Sequence, residues 1–247
     1  QEGWHADKVL VATGGSPAFF ALLKRLGHTI VELVPSLFTF NIPSSPFLDL
    51  TGISLEKVVV SLPLFHQKQR GPLLFTHWGL SGPAVLKLSS WAARELYAAK
   101  YTTLVELDFV PDYTQEEVLA LFQQNQEIFP QKTLSSQPLF GLPKQLWKRL
   151  CGSIQEMPWR QLSWKEKLGL VERLKKTFLQ VEGKTTYKQE FVTAGGVALS
   201  EIHSKTMESK IHSGLFFAGE VLNIDGVTGG FNFQNAWTTS WLAAHAP

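Results

Sequence analysis

Lys8-Val9-Leu10-Val11-Ala12-Thr13-Gly14-Gly15-Ser16-Pro17 is the stretch on which the fold turns. Its apolar run is short, continuous and closed by a double glycine, the pattern of a strand buried on both faces in a parallel sheet. Ser16 then offers an N-cap and Pro17 a first helical position. Ala18 to Leu26 holds good helix formers, and Gly27 stops them. His28 to Leu33 reads as the next strand. Strand, glycine turn, helix and strand in that order spell the βαβ unit of a nucleotide-binding α/β domain.

Outward from there the character of the chain changes. From Ser36 to about Val110 prolines multiply and short β-rich runs appear, Lys57 to Leu62 and Thr103 to Leu107 among them. These predict a small antiparallel barrel or sandwich, interrupted by a helix that starts at Ser81-Gly82-Pro83. From Pro111 to about Gln180 the periodicity is helical. Thr114 with Glu117, and Ser163 with Glu166, are capping boxes. Pro143 opens another helix, and Leu168, Val171, Leu174 and Phe178 keep one buried face. The cations between them, Lys175 and Lys176 included, read as a solvated face. Beyond Gly183 strands return at Tyr187 to Val192 and Gly214 to Gly219, before a final helix from about Phe231 to Ala244. The expected fold class is α/β. A partial Rossmann-like domain, residues 1–35 and 187–247, is split by a β-barrel subdomain at 36–110 and a helical subdomain at 111–186.

Composition bounds the function. The 247 residues can bury a sizeable core. Lys and Arg number 23 against 21 Asp and Glu, and a net charge of +2 argues against an electrostatic grip on nucleic acid. No apolar run is long enough to span a membrane, and no signal peptide is visible. The single cysteine, Cys151, excludes an internal disulfide and fits a reducing, cytoplasmic setting. It stands at helical spacing from other apolar residues and reads as packing rather than a reactive thiol. With no HxxxH, HExxH or CxxC, no metal is expected. The chain opens without Met almost directly on an apolar strand, so its ends read as fragment boundaries.

Three glycine-centred segments carry the chemistry. Thr13-Gly14-Gly15 closes a strand, where ligands of open parallel sheets sit and where a missing Cβ lets the backbone approach a cofactor. Gly214-Leu-Phe-Phe-Ala-Gly-Glu220 delivers Gly219 and the acid Glu220 to a strand end, placed to accept from ribose or ribityl hydroxyls. Asp225-Gly226-Val227-Thr228-Gly229-Gly230-Phe231-Asn232 leads a double glycine into a helix, whose free N–H groups and dipole make an anion site. Taken singly, the first two are as readily plain turns or surface groups.

Together the three resemble the BaiN/YhiN-type flavoproteins, a group within the two-dinucleotide-binding-domain superfamily. Phe75-Thr76-His77-Trp78-Gly79-Leu80-Ser81-Gly82-Pro83-Ala84 is similar to that family's FTHxGLSGPA. Val192-Thr193-Ala194-Gly195-Gly196-Val197 followed by Thr206-Met207-Glu208-Ser209-Lys210 is similar to its VTxGGV…TMESK. The resemblance implies an FAD-dependent oxidoreductase acting on a small organic substrate, with NAD(P)H as electron donor. It places Thr13, Gly14 and Gly15 near the nucleotide portion of FAD, and Gly219 and Glu220 on the ribityl chain. Gly229, Gly230, Phe231 and Asn232, in the segment opened by Asp225, would face the flavin ring, with Gly195 and Gly196 on its other side.

The chain departs from the family twice. The GxGxxG unit that cradles the pyrophosphate does not occur, and the stretch after Gly15 is short. A second reading follows: a non-catalytic piece whose insert is a binding module. Without the first βαβ unit, the strands near Val9–Val11 and Phe216–Phe217 are expected to expose apolar edges and to self-associate. The one acid–base candidate is His77, for which a structural prop held to backbone is the stronger reading. Hydride chemistry belongs to the cofactor and needs no protein base. Nucleic acid and membrane are not expected as partners.

Overall fold

The computed structural model describes residues 5–185 and 192–246. The chain divides into two compact units, residues 38–185 and the segments on either side of them. The strand expected at Tyr187 to Val192 lies, but for Val192, outside the described residues.

The flanking unit opens with β1 (Val9–Val11), α1 (Pro17–Arg25) and β2 (Ile30–Ser36). Pro17 sits at the start of α1 as its fixed φ favours, with Lys24 and Arg25 in the last turn, where cations suit the helix dipole. The two strands do not pair with each other. β1 runs parallel to a late strand at Leu215–Phe217, and β2 runs antiparallel to one at Val192–Val197. The expected βαβ unit is therefore a strand–helix–strand succession whose strands belong to different sheets. Nor is β1 buried on both faces: Val9 and Leu10 are about half exposed and only Val11 reaches the core. Phe216 and Phe217, expected at an exposed edge, are buried.

The inserted unit contains β3 (Thr39–Asn41), β4 (Ser54–Leu62), β5 (Gln67–Thr76), β6 (Gly79–Ser81), α2 (Pro83–Trp91), α3 (Ala93–Ala98) and β7 (Thr102–Asp108). It continues with α4 (Gln115–Ile128), α5 (Lys144–Cys151), α6 (Trp164–Lys175), β8 (Thr177–Glu182) and β9 (Lys184–Thr185). The strands form one antiparallel sheet in the order β8-β7-β4-β5-β6-β3-β9. Its outer members, β8 and β9, are consecutive through Gly183, whose carbonyl accepts the Asn41 N–H at 2.9 Å. The sheet thus curls back on itself as a barrel. Helical character ends at Lys175, and the residues after it return to the sheet, with β8 registered on β7 from Thr177 opposite Leu107 to Glu182 opposite Thr102.

Both capping boxes are present. Thr114 and Glu117 exchange bonds at the head of α4, as Ser163 and Glu166 do at the head of α6. Barrel and helices share one core: Phe40, Val60 and Leu73 from strands join Phe122, Trp147 and Leu170 from helices. Cys151 closes α5 inside it, and burial pushes its thiol up to about 12, against a smaller pull from Arg173. The native chain is therefore expected to leave a thiol reagent such as Ellman's unreacted near neutral pH and to titrate one thiol after unfolding. Rapid native labelling would show that this packing opens.

The flanking unit resumes with β10 (Val192–Val197), β11 (Leu215–Phe217) and α7 (Phe231–Ala244). Its own core gathers Phe20, Leu23, Val197, Met207, Phe217, Val221 and Leu222. Among the described residues, no helix is long and apolar enough to cross a membrane.

Candidate functional site

The parallel register of β1 and β11, Val9 on Leu215 and Val11 on Phe217, brings the carboxyl ends of both strands side by side. Thr13-Gly14-Gly15 follows one, Gly219-Glu220 the other. Gly14 adopts φ +61°, and a Cβ added there would lie 3.6 Å from Glu220 Oε2. A Cβ added at Gly15 would lie 3.2 Å from the Thr193 hydroxyl of β10. Thr193 in turn donates its backbone N–H to Glu220 Oε1 at 2.9 Å. One carboxylate oxygen therefore anchors the turn to β10, and the other is left toward the glycine loop. The Thr13 hydroxyl is buried without a hydrogen-bond partner, an arrangement that costs free energy unless a ligand or water meets it.

Beside this cluster lies a recess of about 370 Å³, lined by Glu220 and by Val192, Ile224 and Val227 together with Gly229, Gly230 and Asn232. Gly230, at φ +89°, is the N-cap of α7 and offers no side-chain cap, so the first N–H groups of α7 lack a side-chain acceptor at that end. Asn232 is tied down: its Oδ1 accepts from Gly226 N at 2.7 Å and its Nδ2 donates to Gly226 O at 2.9 Å. It closes the loop into a ring. Asp225 accepts from the Ser36 hydroxyl at 3.3 Å. Phe231 is exposed, its ring against Gly229.

Gly195 and Gly196 have a packing reason to be glycine. At φ +113° and +128°, added Cβ atoms would overlap the Glu32 carbonyl oxygen and come within 2.6 Å of the Val221 oxygen. β10 bulges at this point against β2, and Val197 bridges Leu222. The glycine pair lets β10 lie against the backbone that carries Glu220. Thr193, which joins Gly15 to Glu220, did not stand out in the sequence, because its contribution is a backbone N–H revealed only by tertiary contact.

The Thr206–Lys210 segment builds a support instead. His28 is fully buried, with Nδ1 at 3.0 Å from Glu201 and Nε2 at 3.1 Å from the Ser209 hydroxyl. A Ser–His–Glu succession invites a nucleophile reading. Ser209, however, is buried, and its oxygen already accepts from Ile211 N and His212 N. Burial pushes the Glu201 carboxyl up, but hydrogen bonds from Thr29 and His28 outweigh it and hold the group below its ordinary range. The network welds α1's exit to the β11 hairpin. His77 belongs to the inserted unit, exposed in the two-residue turn between β5 and β6, with its ring edge on Trp78 at 3.9 Å.

Fold and site define a split mixed α/β unit with a glycine-lined recess, carrying an inserted barrel with packed helices. Residues 34–192 match the family model of the HI0933-like protein barrel and H2TH domain, and the chain belongs to this BaiN/YhiN family. It is 31% identical over 255 residues to a 3-dehydro-bile acid delta(4,6)-reductase of Clostridium scindens, covering 98% of this chain and 62% of that protein. It is 32% identical over 255 residues to a ribosomal RNA dihydrouridine synthase of Escherichia coli, covering 96% and 60%, and 33% identical over 258 residues to one of Haemophilus influenzae, covering 98% and 60%. The chain spans about three fifths of the length of these relatives.

These relatives correct one expectation. Nucleic acid was excluded as a partner on the near-neutral net charge, yet two relatives are named for ribosomal RNA. A whole-chain average is a poor guide here, since a phosphate backbone responds to the local field of the surface it meets.

Proposed function

We propose that the chain is the flavin-ring and ribityl portion of an FAD-dependent reductase that saturates a carbon–carbon double bond conjugated to a carbonyl. The two names borne by the three relatives describe that chemistry: a Δ4,6 diene conjugated with a 3-oxo group, and the 5,6 bond of uracil beside its 4-carbonyl. The observation that carries the reading is the recess at the start of α7, lined by Gly229, Gly230 and Glu220. FAD, reduced by NAD(P)H, would supply the hydride for the β-carbon of such an alkene, with a solvent proton completing the α-carbon.

The chain's own residues do the rest. The N-terminal N–H groups of α7 and the helix dipole stabilise negative charge in the recess, which a reduced flavin gathers on its N1–C2=O edge. Glu220 Oε2 accepts from ribityl hydroxyls while Oε1 stays on Thr193. The unpartnered Thr13 hydroxyl and the bare Gly14 and Gly15 suit a polar cofactor portion lying against the strand ends. Apolar Val192, Ile224 and Val227 keep water from the ring.

The test is a fluorescence titration of FAD and of riboflavin with the purified chain. Both flavins are expected to bind, because the residues named hold the end they share, and Gly229→Val is expected to weaken both at least about tenfold by filling the recess, about 1.4 kcal/mol. Flavin signals unchanged by excess protein would overturn the proposed site.

A further inference from the structure

The charge of this chain is not evenly spread. Residues 130–165 hold six cations, Lys132, Lys144, Lys148, Arg149, Arg160 and Lys165, against the one carboxylate of Glu156. All but Lys148 are exposed, and Lys148 is partly so. Elsewhere in the inserted unit several cations are neutralised: Lys57 and Arg70 by Asp112, Lys175 by Asp108. In this segment only Arg149 has such a partner, Asp49. None of the other five is ion-paired to a described carboxylate.

The fold draws these residues toward one another. Lys144 and Lys148 stand one helical turn apart on α5 and so share a face. Below them Lys148, Arg149, Gln145 and Gln155 line an open recess of about 500 Å³ at the C-terminal turn of α5, with Asp49 and Leu50 on its wall. Gln155 accepts from Ser135 N at 2.8 Å, which starts a ladder between residues 130–135 and 155–160. Along that ladder Trp159 N donates to Lys132 O and Arg160 N to Pro130 O, and Thr133 bridges Pro158. Lys132 and Arg160 are thus neighbours on the ladder that begins at Gln155.

We propose that this surface grips the sugar–phosphate backbone of a folded RNA. Two pairs of cations without carboxylate partners, Lys144 with Lys148 and Lys132 with Arg160, answer phosphates, and two carboxamides in a recess answer phosphate oxygens and 2′-hydroxyls. The inference deepens the reductase reading, on which it rests for the choice of RNA, by assigning the reducible ring to a uracil held within a larger RNA. The backbone contacts then supply affinity without reading sequence.

The test needs no flavin, so its failure is separable from failure of the cofactor site. Binding of a fluorescein-labelled RNA hairpin to the full chain is followed by anisotropy from about 50 to about 200 mM salt. The wild-type affinity is expected to fall steeply with salt. The triple variant Lys144→Glu, Lys148→Glu, Arg160→Glu is expected to bind at least about tenfold more weakly and to flatten the log–log slope by about 2, at about 0.7 to 0.9 per lost phosphate contact. A control with the same charge change on exposed positions elsewhere, Lys68→Glu, Lys100→Glu, Lys176→Glu, is expected to keep most of both. Circular dichroism checks that each variant is folded. Equal losses in the two variants, no salt-dependent binding by the wild type, or full competition by polyglutamate would each overturn the proposal.

Discussion

Gly195→Ala is expected to destabilise the flanking unit by about 4 kcal/mol or more, while Gly27→Ala in the same unit costs about 1 kcal/mol. Both glycines have positive φ, +113° and +92°. They differ in what a Cβ would meet. At Gly27 nothing lies within 4 Å, so only the conformational cost is felt. At Gly195 the methyl would overlap the Glu32 carbonyl oxygen and sit 2.9 Å from that of Val31, both in β2. Backbone cannot rotate aside as a side chain can, so β10 must leave β2 or shed its bulge. Thr193 and the Glu220 turn would then lose their alignment. Urea unfolding read by hydrogen exchange in residues 192–222 measures the difference. Equal stability of the two variants would show that the β10 bulge relaxes freely and that Gly195 is kept for another reason.

The same bulge shows which features were legible in sequence. Capping boxes at Thr114 and Ser163 were readable because every group they use lies within four residues. The final helix, Phe231–Ala244, was readable from the glycines that precede it. The pairing of β1 and β2 was not. Strand, helix, strand is a local pattern, whereas the partners β11 and β10 come from beyond a 148-residue insert spanning 38–185. Val9 and Leu10 are half exposed, against the reading of a strand buried on both faces but as expected of an apolar edge there, because an apolar run states an affinity for cover and a neighbour must supply it. Gly229, Gly230 and Glu220 stand out in the sequence only through the resemblance of their segments to the family, since each alone reads as readily as a turn or a surface group; the fold brings all three to one recess. Thr193 was missed because its N–H could have been any residue's. The cations of residues 130–165 were diluted by averaging over the whole chain.

Trp147→Ala is expected to cost the inserted unit about 3–5 kcal/mol, and the size of the loss distinguishes packing from hydrogen bonding. Trp147 is wholly buried on α5, and its indole N–H donates to the Leu134 carbonyl at 2.7 Å. That bond joins α5 to residues 130–135, one rail of the ladder that carries Lys132. Trp147→Phe keeps most of the ring but leaves the carbonyl unpartnered, for an added cost of about 1–3 kcal/mol. Trp159 supplies the internal contrast, since it is equally buried but its indole N–H has no partner. Trp159→Phe removes an orphaned donor and is expected to be milder than Trp147→Phe, although the volume lost is the same. Urea denaturation of the three variants followed by near-ultraviolet circular dichroism ranks them. If both phenylalanine variants lose the same stability, ring volume alone holds α5 in place. A milder Trp159→Phe would mean that the basic face of α5 is held in register by one hydrogen bond to the segment beside it, so Trp147→Phe should also weaken RNA binding without altering the charge of the surface.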